Sequence, residues 1–147
     1  MRVLGLDIGD RRIGVAISDE TGAVAQGRGV YLRRGEDQDL SYFADLCRRE
    51  RVETIVVGLP LNMDSSEGVQ ARKARAFARA LADRTGLPVE LLDERLTTAE
   101  ADRVLKEAGL RERKRRRVRD ELAAVLILQA WLDRRRGPGQ EAGAPDP

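Results

Sequence analysis

Two apolar, β-rich runs, residues 2–8 (RVLGLDI) and 13–18 (IGVAIS), are joined by a link too short to hold a helix. Parallel neighbours need a crossover of a dozen residues or more, so these runs must form an antiparallel hairpin. A third β-rich stretch spans about 23–32, after the turn-forming Asp19-Glu20-Thr21-Gly22. Its link is also too short for a crossover, and the three are expected to form an antiparallel meander.

The period then changes. Leu40, Phe43, Ala44 and Cys47 recur at helical spacing. Residues 54–59 (TIVVGL) are a continuous apolar run, as in a strand buried on both faces. After the loop PLNMDSSEG, a helix is expected over about 67–85, with Asp64 and Glu67 as its capping box. Its apolar stripe is Ala74, Phe77, Ala78 and Leu81, and Arg72, Arg75 and Arg79 form a basic stripe away from it. Gly86 and Pro88 end it, and residues 88–92 (PVELL) read as a further strand. Thr97 and Glu100 form a second capping box, opening a helix through Ala101, Val104, Leu105 and Ala108 to Gly109. The last helix is expected over about 119–135. Its stretch 122–132 (LAAVLILQAWL) is apolar nearly all round, which suits burial on more than one face or a dimer contact. The tail GPGQEAGAPDP is Gly/Pro-rich and is expected to be disordered. This order gives one α/β domain over residues 1–136. Its five-stranded mixed sheet has three antiparallel strands, then two parallel, with helices on both faces.

Residue usage narrows the chemistry. There is no histidine, which excludes Ser-His-Asp and Cys-His machinery and His-rich zinc sites. The single cysteine, Cys47, has no disulfide partner and lies on an apolar helix face, where a core role is expected. No apolar run is long enough to span a bilayer and the N-terminus does not read as a signal peptide, so a cytoplasmic protein is expected. Net charge is only +2, but seven of the nine residues from Arg111 to Arg119 are basic and Arg134, Arg135 and Arg136 form a second cluster. Such clusters suit phosphate, or a solvated helix entry.

Three acids stand out. Asp7 sits near the end of an otherwise apolar strand, where a carboxylate is costly unless a cation or hydrogen bonds compensate it. It serves either a site or a cap on the following turn. Glu94 and Asp93 follow a buried strand at its C-terminal end, the usual place for chemistry in α/β sheets. Either acid suits a ligand role, and Glu94 reaches further. Asp120 opens the expected last helix, where it serves either a site or the helix dipole. Hard divalent cations take oxygen ligands, and two such ions support phosphodiester hydrolysis without histidine.

The blocks Gly5-Leu-Asp-Ile-Gly9, Arg12-Ile-Gly-Val-Ala-Ile-Ser-Asp19, Val57-Gly-Leu-Pro-Leu-Asn-Met63, Asp93-Glu-Arg-Leu-Thr-Thr98 and Asp120-Glu-Leu-Ala-Ala-Val-Leu-Ile-Leu-Gln129 resemble the YqgF/RuvX family over about residues 2–133. Its members are described as Holliday junction resolvases or as nucleases that mature the 5′ end of pre-16S ribosomal RNA. The resemblance implies a ribonuclease-H-like fold and an acidic site for Mg²⁺ or Mn²⁺ on Asp7, Glu94 and Asp120. The family's Lys-rich stretch before the last acid is Arg-rich here, in Lys114-Arg-Arg-Arg-Val-Arg119.

The implied activity is a metal-dependent nuclease on RNA or DNA, with no membrane role. A resolvase cuts two strands symmetrically, so a homodimer is a further expectation. The residues expected to contact nucleic acid are Arg11, Arg12, Asn62, Arg72, Arg75, Arg79, Lys114, Arg115, Arg116 and Arg117. The loop Pro60–Gly68, with Ser65 and Ser66, is either a mobile lid or a plain helix entry. Trp131 is expected in the core, and aromatics at 3% make recognition by base stacking improbable. A non-catalytic nucleic-acid-binding factor is the competing class. A phosphotransferase or ATPase of the actin/sugar-kinase type is disfavoured, because those proteins close two such domains around a nucleotide.

Overall fold

A computed structural model describes residues 1–95, 97, 107, 109 and 112–136, with backbone alone for 112–115 and 136. Its strands are β1 (Arg2–Ile8), β2 (Arg12–Ser18), β3 (Ala25–Leu32), β4 (Val52–Leu59) and β5 (Val89–Asp93). The helices are α1 (Glu36–Glu50), α2 (Val69–Thr85) and α3 (Glu112–Arg136). The strands form one sheet in the order β3-β2-β1-β4-β5. The first three pair antiparallel, and β4 joins β1 and β5 in parallel, as the link lengths require. The capping-box helix expected from Thr97 to Gly109 and the Gly/Pro-rich tail lie largely outside the described residues. No helix among the described residues is long and apolar enough to cross a membrane.

Side-chain alternation along the strands builds two cores. On one face Leu4, Leu6 and Ile8 of β1 and Ile55 and Val57 of β4 pack with Phe43, Cys47, Phe77 and Leu81 of α1 and α2. On the other, Val3, Ala16, Val56 and Leu92 meet Ala124, Ile127, Leu128, Trp131 and Leu132 of α3. Cys47 and Trp131 are both buried, and burial pushes the Cys47 thiol up to about 11. The fully buried α3 positions lie on one face, while Leu122, Val125 and Leu126 are only half-buried, so burial is less even than the apolar run suggests.

Two helix starts differ from the sequence reading. The cap of α2 is Gly68, with no side-chain bond to the helix end. Asp64 instead accepts hydrogen bonds from the amide and hydroxyl of Ser66, and Glu67 is drawn to Arg75. The other difference is α3, which begins at Glu112, so the basic run is helical rather than a helix entry. Lys and Arg are good helix formers, and nothing in the run stops a helix.

The α3 helix lies unusually close to the sheet because glycine faces it. A Cβ on Gly14 would sit 1.9 Å from the Asp120 carbonyl oxygen, a backbone atom that cannot turn aside. Gly14→Ala is therefore expected to lift α3 off β2 and cost about 3 kcal/mol or more, read as a lower denaturant midpoint. A loss within a few tenths of a kcal/mol would contradict this close approach.

Candidate active site

Asp7 lies next to the last residue of β1, opposite Gly14 of β2. Alternation puts Leu6 and Ile8 in the α1/α2 core, so Val3, Gly5 and Asp7 face α3. The turn after β1 closes on itself, because the Gly9 amide donates to the Arg12 carbonyl at 2.9 Å. That amide therefore does not need Asp7 as its cap.

Glu94 follows β5, two strands from β1. Its amide donates to the Leu59 carbonyl at 3.1 Å, and its own carbonyl accepts the Thr97 hydroxyl at 3.0 Å. Thr97, expected mainly as a helix cap, is thus a neighbour of the site. To meet Asp7 the Glu94 side chain must cross β4. It does so over Gly58, where a Cβ would lie 2.7 Å from the Glu94 carboxyl carbon. Strands are about 4.8 Å apart, so only a bare position on the middle strand leaves room for that reach. Gly58 was not singled out from the sequence, although a glycine inside an apolar strand run signals such an approach.

Asp7 and Glu94 share a hydrogen bond in a buried setting. Burial, the bond to Asp7 and the Asp7 charge push the Glu94 carboxyl up to about 9. The shift favours the protonated form of the Glu94 carboxyl beside Asp7. Asp93 is not part of this pair. Its carboxylate is clasped by the Arg95 guanidinium at 2.6–2.9 Å, and the hydrogen bonds from Arg95 hold it below the usual range. Glu94, favoured from the sequence for its reach, is the acid that meets Asp7, while Asp93 turns to Arg95.

Asp120 is about two turns inside α3, so the dipole of a helix start does not account for it. It is half-buried, and its Oδ2 accepts a hydrogen bond from Arg12 Nε at 2.9 Å. Burial raises its pKa and the charge of Asp7 adds to this, while Arg12 and Arg119 oppose it. Among the described residues no three acidic, His or Cys side chains stand close enough to cage a metal as they are. The arrangement is a joined pair, Asp7 and Glu94, with Asp120 near enough to feel Asp7 but turned to Arg12.

The donor set still fits a hard divalent cation. It is all oxygen, and the joined pair favours a proton in place of a compensating positive charge. A divalent cation held there would supply that charge.

The expected nucleic-acid contacts divide by position. Arg12 is at the site, and Arg11 is exposed on the adjoining turn. Arg116 and Arg117 are exposed on α3, about one turn before Asp120. The backbone of Lys114 and Arg115 lies in α3, and their side chains lie outside the described residues. Arg72, Arg75 and Arg79 are exposed on α2, across the sheet from the acids. Arg75 holds Glu67 at 2.9 and 3.0 Å, and Arg72 bonds the Glu67 carbonyl at 3.2 Å. Asn62 belongs to a self-bonded loop. Its amide donates to the Ser66 carbonyl at 2.9 Å, and Arg95 fastens the loop by its bonds to the Met63 carbonyl and Ser65 hydroxyl. Arg95 is thus a loop anchor that the sequence reading left unassigned.

The fold is shared with solved resolvases. RuvC of Thermus thermophilus bound to a Holliday junction substrate superposes with a TM-score of 0.61 at 17% identity, covering 93% of this chain and 97% of that one. The fowlpox virus resolvase with Holliday junction DNA gives 0.56 at 10% identity, covering 91% and 98%. Sequence relatives are much nearer. A Moorella thermoacetica protein named "Putative pre-16S rRNA nuclease" is 54% identical over 134 residues, 91% of this chain and 96% of that protein. One of the same name from Pelotomaculum thermopropionicum is 50% identical over 148 residues, 100% and 96%. The model of the RuvX family, described as Holliday junction resolvase, matches residues 1–134. The chain, with its ribonuclease-H-like sheet and its acids at the strand ends, belongs to the RuvX family.

Proposed function

We propose that the protein is a divalent-metal-dependent nuclease that hydrolyses phosphodiester bonds in structured nucleic acid, with Asp7, Glu94 and Asp120 holding Mg²⁺ or Mn²⁺. The observation that carries this reading is the contact of Asp7 with the buried Glu94 across Gly58 of β4, at the C-terminal ends of the parallel strands β1, β4 and β5. Maintaining such a pair costs stability, and sites that bind cations are where that cost is met. A bound divalent ion would relieve charge on the phosphate and activate a water. Arg12 is placed to exchange its bond with Asp120 for one with a phosphate oxygen. The names of its relatives favour precursor 16S ribosomal RNA as substrate, and the family description favours four-way DNA junctions.

The competing reading is a binding factor without catalysis. One observation favours it: Asp120 is already satisfied by Arg12. A cleavage panel separates the two, using precursor 16S RNA, junction DNA, duplexes and single strands with Mn²⁺ or Mg²⁺. The nuclease reading expects cleavage of at least one structured substrate, abolished by EDTA. Binding that persists in EDTA, with no cleavage under either metal, would leave the binding factor.

A further inference from the structure

Beside the Arg12–Asp120 contact, a cavity of about 360 Å³ opens between β3 and α3. Its wall is apolar, from Val30 and Leu32 of β3 and Val118 of α3, and Arg12 and Arg117 stand at its edge. Leu32 is 63% exposed, unusual for a leucine with no apolar partner above it. It shares its strand face with Val30, because Tyr31 turns to the opposite core. Glu121 also lines the space, but its carboxylate is engaged by the Gly29 amide at 2.5 Å. A neutral amide does not cancel that carboxylate, so the rim carries two guanidiniums beside the Glu121 carboxylate, and Arg12 also touches Asp120.

We propose that this cavity is a subsite for one unpaired nucleotide of the strand being cut, its phosphate on Arg12 and Arg117 and its sugar and base against Val30, Leu32 and Val118. The claim rests on the nuclease reading in taking nucleic acid as the ligand. The volume is near the lower end of small-ligand pockets, roughly 300–1,000 Å³, which suits a single nucleotide and excludes a duplex. Among the described residues the wall offers apolar contact and no aromatic ring, which favours no particular base. Occupancy would also draw Arg12 from Asp120 toward phosphate, linking the arrival of a strand to the release of the third acid.

The test uses the full chain in EDTA, so that no strand is cut. The probes are a fluorescein-labelled RNA hairpin with a single-stranded 5′ arm, the same hairpin without the arm, and the armed hairpin carrying 2-aminopurine in the arm. Leu32→Asp and Leu32→Ala are expected to weaken binding of the armed hairpin, by about tenfold for Leu32→Asp, and to leave the blunt one unchanged. Arg117→Glu is expected to weaken both and to reduce the salt slope by about one. Fluorescence of 2-aminopurine should change on binding the native chain and not on binding Leu32→Asp. Thermal melts of the variants should match the native chain, because both side chains are exposed. Equal affinity of native and Leu32→Asp proteins for the armed hairpin overturns the subsite, as does an equal loss for armed and blunt probes. The two readings fail separately. Cleavage by the native chain with no effect of Leu32→Asp removes the subsite alone, whereas arm-dependent binding with no cleavage in Mn²⁺ or Mg²⁺ removes the nuclease alone.

Discussion

Asp7→Asn is expected to lower metal-dependent cleavage by about 10³-fold or more while leaving the protein at least as stable as before. The amide keeps the shape of the side chain, so strand pairing with Gly14 is retained. It also removes the negative charge that faces Glu94 and Asp120. Without the repulsion between Asp7 and Asp120 the folded state gains, which is the usual sign of a side chain kept for function against stability. Cleavage rates and melting temperature, measured on one preparation, decide the matter. A residue that merely caps the strand end would show the reverse, with lower stability and cleavage reduced only in proportion to unfolding.

Glu94→Gln is the second large effect, and it is read without any substrate. The Glu94 carboxyl is raised from an ordinary 4.5 to about 9 in the folded, metal-free chain. Between those values the folded state binds the proton and the unfolded state does not. Stability therefore falls as pH rises through that window, and the full penalty is present above about 9. Gln does not titrate, so the variant loses this slope. At pH 8 in EDTA it should be more stable by a few kcal/mol, on the order of 5–10 °C in melting temperature. At pH 5 the two proteins should melt together. Added Mn²⁺ should then raise the melting temperature of the native chain more at pH 8 than at pH 6, because binding must displace the proton, and should do little for Glu94→Gln. Parallel melting curves for the two proteins across pH 5–8 would mean that Glu94 is not the strained acid.

Much of this was legible in the sequence. The short links after Ile8 and Ser18 force the meander, and the period-2 pattern through Glu90, Leu92 and Glu94 sets Glu94 on the α3 face and Asp93 on the other. The position of Asp120 was misjudged for a physical reason. A run of Lys and Arg has no internal stop signal and high helix propensity, so α3 continues backward to Glu112, where the last helix was expected to start at about 119. The Asp64–Glu67 pair had the spacing of a capping box, but each side chain found a nearer partner, Ser66 and Arg75. Other features were hidden because they are long-range. Nothing local joins Arg12 to Asp120 or Arg95 to Ser65. The glycines were the missed clue. Gly14 and Gly58 lie in apolar strand runs where a side chain would add core, and both leave space that the site needs.

Divalent-cation binding by the acids is the claim on which the rest depends, and calorimetric titration of Mn²⁺ into the metal-free chain at pH 8 tests it most directly. The expected result is saturable binding with release of a proton, lost in Asp7→Asn and in Glu94→Gln. Titration heats that never saturate, or that are the same in the native chain and in Asp7→Asn, would contradict it.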